Sequence, residues 1–354
     1  MAKKLMKGCE AIGEAAIQAG CRHFFGYPIT PQSEVPEYLS RRLPAVGGVF
    51  VQAESEVAAS NMILGAAATG TRVLTTSSSP GISLMSEGIS YIAGCELPVV
   101  LVNIVRGGPG LGGILPAQSD YNQATRGGGH GDYHLLVLAP ASVQEAADLI
   151  GLGFDLADKY RNPVMVIGDG MIGQMMEPVE FRKSPVLDLP PKDWALTGAR
   201  GRKARIITSL FLNGEELEAL NLRLKAKYER MAREDVRFST YNVEAGYDVL
   251  IVAYGTTARI CQTAIDLLRE KGVSVGMIRP ITLYPYPYEA VAKAAEAARA
   301  VLTVEMSMGQ MIDDVKLSVL GKRPIHFHGH AGGVIPTPDE VVERIHSIRA
   351  GFQS

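Results

Sequence analysis

Short apolar runs bounded by turn residues recur through the first half of the chain, at residues 23–27, 49–52, 72–77, 98–105, 135–139 and 163–168. Between several of them the spacing becomes helical: over residues 142–160, Val143, Ala146, Leu149, Ile150 and Phe154 fall on one face. Apolar runs alternating with helices predict an α/β fold with a mostly parallel sheet covered on both faces. Such sheets bind ligands at the carboxyl ends of their strands.

The pattern breaks from about residue 176 to 208, where Pro190 and Pro191 precede a basic run at residues 198–205. A helix follows, with Leu217, Leu220, Leu224, Tyr228 and Met231 spaced three or four apart and mostly charged residues elsewhere, so it has one apolar face to dock. Strand–helix alternation resumes at Asp248, with strands predicted over 249–253, 273–278, 300–305 and 324–327, and helices over 258–271, 288–299, 310–319 and 339–350. The expected organisation is an α/β domain at 1–175, a linker arm and helix at 176–247, and a second α/β domain at 248–354.

With 47% apolar and 20% charged residues, the 354-residue chain buries a large core. Lys+Arg 35 against Asp+Glu 37 leaves a net charge of −2, without the basic surplus that nucleic-acid binding needs. The most apolar run, residues 97–105 between Glu96 and Arg106, is too short to span a membrane. No apolar segment follows the first lysines, so no secretory leader is read and a cytoplasmic location is expected. Cys9, Cys21, Cys95 and Cys261 stand singly, which argues against a disulfide framework or a clustered iron–sulfur or zinc site. Any redox centre is expected on another chain.

Residues 108–113 and 168–173 both match GxGxxG after a strand, but Pro116 and Pro178 fall where the required helices would run. Gly168-Asp169-Gly170 resembles the head of the metal–diphosphate motif of thiamine enzymes, yet residues 192–198 lack its later Asn, and it reads as a strand end. His326 and His328 share one face of a strand and His330 follows. With no acid or cysteine nearby in the sequence, they are read as lining a domain edge, and no metal is assigned to the chain.

Three elements carry candidate chemistry. Residues 26–31, Gly-Tyr-Pro-Ile-Thr-Pro, end a strand in a rigid turn that aims Thr30 outward. Residues 52–59 place Glu56 at the first turn of a helix rich in small residues, and a carboxylate entering such a close-packed layer needs a partner or a raised pKa. Arg106 ends the most apolar strand and opens a glycine-rich loop, as a guanidinium awaiting an anion does.

Together with residues 108–112 (Gly-Pro-Gly-Leu-Gly), 120–123 (Asp-Tyr-Asn-Gln), 127–131 (Gly-Gly-Gly-His-Gly) and 156–163, these elements resemble the α subunit of the 2-oxoacid:ferredoxin oxidoreductases. The resemblance is closest to the 3-methyl-2-oxobutanoate (branched-chain, ketoisovalerate) type. It implies a pyrimidine-type thiamine diphosphate-binding first domain and a transketolase C-terminal-like second domain. In such a site a carboxyl group hydrogen-bonded to pyrimidine N1′ favours the imino tautomer that removes the C2 proton. The resemblance gives that role to Glu56, with Glu54 as the alternative, and places Tyr27, Pro28 and Ile29 beside the cofactor. It sets the Thr30 hydroxyl toward the oxo or carboxyl group of the 2-oxoacid and the Arg106 guanidinium toward its carboxylate.

What the chain lacks is implied to come from partners: a beta subunit with the diphosphate and Mg2+ motif, and gamma and ferredoxin-like subunits, with [4Fe-4S] clusters carried by partner subunits. The implied reaction takes a 2-oxoacid, CoA and oxidised ferredoxin to acyl-CoA, carbon dioxide and reduced ferredoxin. In the 2-oxoglutarate type the loop after the arginine carries a Ser-Thr pair. Here Gly110 and Leu111 stand instead, and a leucine beside the substrate suits a branched tail while leaving a second carboxylate without a partner. A 2-oxoglutarate-specific subunit is the alternative within the family. A nucleotide-binding regulatory module using the glycine-rich turns is the alternative outside it.

Overall fold

The computed structural model describes residues 3–181, 189–244 and 246–352; of the expected arm, residues 182–188 and 245 lie outside them. In chain order the strands are β1 (Lys4–Lys7), β2 (His23–Gly26), β3 (Val49–Gln52), β4 (Val73–Ser77), β5 (Val100–Val105), β6 (Leu136–Leu138) and β7 (Val164–Asp169). They continue with β8 (Met176–Val179), β9 (Phe238–Tyr241), β10 (Val249–Val252), β11 (Val275–Pro280), β12 (Thr282–Tyr284), β13 (Ala300–Glu305) and β14 (Ile325–Gly329).

A seven-stranded sheet in the order β12-β6-β7-β5-β4-β2-β3 is parallel except for β12 at its edge. A five-stranded sheet in the order β14-β13-β10-β11-β9 is parallel except for β9. Every residue of β4, β5 and β7 is buried, the consequence of helices on both faces. The fold is α/β with mostly parallel sheets, and the strand ends alone remain open to a ligand.

The edge strands β1, β8, β9 and β12 are not legible in the sequence pattern. Each has only three or four residues of mixed polarity, as in Lys-Leu-Met-Lys, and pairing rather than periodicity makes it a strand. The arm helix spans Gly214–Glu234 and buries Leu220, Leu224, Tyr228 and Met231, each contributing about 1.5–3 kcal/mol. Leu217 stays 41% exposed. The arm is also held by charge: Lys192 reaches Asp158 at 2.6 Å, a carboxylate that Arg72 steadies at 2.9 Å.

Two buried polar clasps fix the second sheet against the first. Fully buried Asp314 accepts from Tyr121 Oη at 2.6 Å, from Arg126 Nη2 at 3.0 Å and from the Tyr288 hydroxyl. Gln118 donates to the Tyr254 carbonyl at 2.9 Å and accepts from the Met306 amide at 2.9 Å. Removing one partner from such a buried charge cluster costs about 3–5 kcal/mol. Among the described residues no helix is long and apolar enough to cross a membrane.

Candidate active site

The loop of residues 27–31 follows β2, Glu56 follows β3, Ser78 and Ser79 follow β4, and Arg106 follows β5, so neighbouring parallel strands deliver all of them to one edge. Glu56 opens the helix Glu56–Ala68, behind the N-cap Ser55, whose Oγ accepts from the Ala58 amide at 3.1 Å. It is 6% exposed, whereas Glu54 lies exposed before the helix. No donor among the described residues reaches the Glu56 carboxylate.

Gly81, in the first turn of the helix Ser79–Gly94, lies against it. A Cβ there would stand 2.6 Å from Glu56 Oε1 and 2.1 Å from Ser77 Oγ, so a larger residue displaces both. The Ser77 and Ser78 hydroxyls are buried without a hydrogen-bond partner. An enclosed carboxylate and two orphaned hydroxyls at one strand end amount to polar capacity that the chain itself leaves unused. Sequence reasoning passed over these serines, although a run of five hydroxyl residues at 75–79, where an apolar strand end is expected, is a readable signal.

Arg106 is 7% exposed. Its Nη1 donates to the Thr30 carbonyl at 2.9 Å and its Nη2 to the Leu111 carbonyl at 3.0 Å, while Nε is buried without a partner. The guanidinium therefore staples two loops together. Thr30 meets it through the backbone carbonyl rather than the hydroxyl, and its side chain faces solvent with Tyr27 and Pro28, Ile29 being half-buried. Gln32, fully buried, steadies that loop by accepting from Thr76 Oγ1 at 2.5 Å and donating to the Tyr27 carbonyl at 3.5 Å.

The loop after Arg106 folds back so tightly that a Cβ on Gly112, at φ +59, would lie 1.9 Å from the Gly107 carbonyl oxygen. Leu111 is 82% exposed, its side chain left uncovered by the described residues. A cavity of about 360 Å³ opens beside the loop, between the two sheets, and Pro80, Pro109, Met306 and Met308 supply its apolar wall. Arg106 is the one cation among its lining residues, and Asp120 lies opposite in kind. Burial pushes the Asp120 carboxyl up, against hydrogen bonds from Ser79 and Asn103.

The remaining motifs resolve as structure. Residues 108–113 open no helix, and residues 168–173 open only Gly170–Gln174. Asp169 caps that short helix, accepting from the Met171 and Ile172 amides at 2.9 and 3.3 Å, and burial pushes its carboxyl up. The four cysteines are free, and burial raises the Cys21 thiol to about 12. One expectation is corrected: an acid does stand beside the histidines, because the last helix brings Glu340 to 3.3 Å from His330. Sequence separation hid it.

A family model for the thiamine diphosphate-binding domain of pyruvate flavodoxin/ferredoxin oxidoreductases matches residues 14–202, more than half of the chain. The chain belongs to the 2-oxoacid:ferredoxin oxidoreductase family. A second model, pyruvate:ferredoxin oxidoreductase core domain II, matches residues 247–341. Among the family's members, the ketoisovalerate oxidoreductase subunit VorB of Methanothermobacter marburgensis is 47% identical over 98% of both chains. The 2-oxoglutarate synthase subunit KorA of Methanothermobacter thermautotrophicus is 36% identical, over 96% of this chain and 97% of that one. A solved family structure, 2-oxoglutarate:ferredoxin oxidoreductase from Magnetococcus marinus with 2-oxoglutarate, coenzyme A and succinyl-CoA bound, superposes with a TM-score of 0.86 at 27% identity. It matches over 98% of this chain, which spans 65% of that longer one.

Proposed function

We propose that this chain is the catalytic subunit of an enzyme that oxidatively decarboxylates a branched-chain 2-oxoacid. The acyl group passes to CoA and the electrons pass to ferredoxin through iron–sulfur clusters of partner subunits. Thiamine diphosphate would be shared with a beta subunit that contributes the diphosphate and Mg2+ ligands. The orphaned polar groups fit it: Glu56 has no donor among the described residues, and Ser77 and Ser78 have hydroxyls to spare at the same strand end.

When bound, the cofactor supplies the nucleophilic carbon that stabilises the decarboxylated substrate as a carbanion equivalent. Glu56 would hold the proton shared with pyrimidine N1′, enclosed by the helix carrying Gly81, with Tyr27, Pro28 and Ile29 flanking the ring. Arg106, already oriented by the Thr30 and Leu111 carbonyls, keeps donors for the carboxylate of the substrate, and Thr30 borders that site.

The cavity carries the choice of substrate. One cation satisfies a monocarboxylate, and a methionine- and proline-lined wall accepts an isopropyl or isobutyl tail. A second carboxylate would meet Asp120 and no second cation. The greater identity to a ketoisovalerate subunit than to a 2-oxoglutarate subunit supports the same reading. Exposed Ile206, Leu210 and Leu212 on the arm, and Leu111 on the loop, suit contact with partner subunits.

In the reconstituted complex, kcat/KM for 3-methyl-2-oxobutanoate is expected to exceed that for 2-oxoglutarate by at least about a hundredfold, the scale of an unpaired buried charge. Gly110→Ser with Leu111→Thr should narrow the ratio. A wild-type preference for 2-oxoglutarate overturns the substrate assignment.

A further inference from the structure

The second sheet carries a cluster outside the candidate active site. His328 is on the edge strand β14, His330 follows it, and Glu340 projects from the helix Pro338–Ala350; one ligand atom from each lies within 4.8 Å of the others. We propose that His328, His330 and Glu340 form a binding site for a first-row divalent cation of the zinc type.

The geometry is close to that of a metal site. His330 Nε2 stands 3.3 Å from Glu340 Oε1, the length of one edge of a tetrahedron whose bonds to zinc are about 2.0 Å. That contact lacks the alignment of a hydrogen bond, and the Nε2 atoms of both histidines are buried without a hydrogen-bond partner. The two rings meet edge to face, with centroids 5.3 Å apart. A ring nitrogen of each histidine and a carboxylate oxygen of Glu340 thus lie within 4.8 Å of one another.

The carboxylate is divided between two tasks. Oε2 accepts from the Thr337 amide at 2.7 Å and its hydroxyl at 3.0 Å, closing the capping box of the last helix, which leaves Oε1 turned to His330. A carboxylate held by such outer contacts is pre-oriented as a ligand. Two imidazoles and a carboxylate suit Zn2+, Co2+ or Ni2+ rather than Mg2+ or Ca2+. The turn after His330 packs against the substrate loop: a Cβ on Gly333 would lie 2.4 Å from Leu115 Cβ, and Ala331 and Gly332 line the cavity beside Arg106. A bound cation would brace that wall.

The test is calorimetric titration of zinc chloride into the full-length chain after EDTA treatment and exchange. One equivalent is expected to bind and to raise the thermal midpoint. Affinity should fall at least about tenfold in His328→Ala and in Glu340→Gln. Glu340→Gln retains an oxygen for Thr337, so its thermal midpoint in EDTA should match wild type, separating ligand loss from misfolding. His326→Ala, on the same strand, should bind as wild type does. Absence of stoichiometric binding in wild type, a loss below tenfold in Glu340→Gln, or an equal loss in His326→Ala overturns the site.

Discussion

Glu305 and Glu56 both stand at strand-to-helix junctions in this molecule, and they are treated in opposite ways. Glu305, at the end of β13, is fully buried and accepts from the amides of Gln310, Met311 and Ile312 at 3.0, 3.0 and 2.9 Å and from Ser307 Oγ at 2.8 Å. Glu56, after β3, is nearly as buried and accepts from nothing among the described residues. The first has its bonding capacity filled by the fold and contributes stability. The second has it held open, which is the condition for chemistry on a ligand rather than for packing.

The contrast predicts separable effects. Glu56→Gln should reduce turnover of the assembled complex by about a thousandfold or more, each tenfold being about 1.4 kcal/mol of barrier, with an unchanged melting midpoint. Near-normal turnover would move the role to Glu54. Glu305→Ala should do the reverse, removing about 3 kcal/mol of stability in a urea titration by stranding three helix amides. If it instead removed activity at full fold, the distinction between the two carboxylates would collapse. Gly81→Ala tests the neighbourhood of Glu56: its methyl displaces Ser77 Oγ and Glu56 Oε1, so turnover should fall about tenfold at a stability cost of about 1 kcal/mol. Wild-type turnover there would show that the carboxylate position is not critical.

The smallest effect concerns a carboxylate of the Glu305 kind nearer the surface. Burial pushes the Glu14 carboxyl up, but hydrogen bonds from Gln18, Arg42 and Tyr38 outweigh it and hold the group below its usual range. Its contribution is therefore present above the unfolded pKa of about 4.3 and lost as pH falls through the lower folded value. Glu14→Gln should cost about 1 kcal/mol at pH 7, part of it discounted because Arg42 is half in solvent, and the gap to wild type should close in acid. A gap that persists at the lowest pH where the chain stays folded would assign the loss to packing.

Much of the site was legible because its supports are local. Arg106 closes an apolar run and Glu56 opens a helix, and strand ends of a parallel sheet fall on one edge whatever the detail of packing. The orphaned serines at 77 and 78 were missed because a hydroxyl run says nothing about whether partners exist. Leu111 was expected beside the substrate, and the tight turn at Gly112 presents its side chain 82% exposed on the loop, a placement that the apolar residue alone does not give.

The sequence by itself determined the alternation of strands and helices, the docking face of the arm helix and the positions where chemistry enters, since periodicity and turn residues act over a few neighbours. Only the tertiary structure decided the rest. It drew β12 from the second block into the first sheet, spent two Arg106 donors on the Thr30 and Leu111 carbonyls, and set Glu340 against His330. These pairings join segments whose meeting depends on how the whole chain closes, and hydrogen bonding and burial are settled only there.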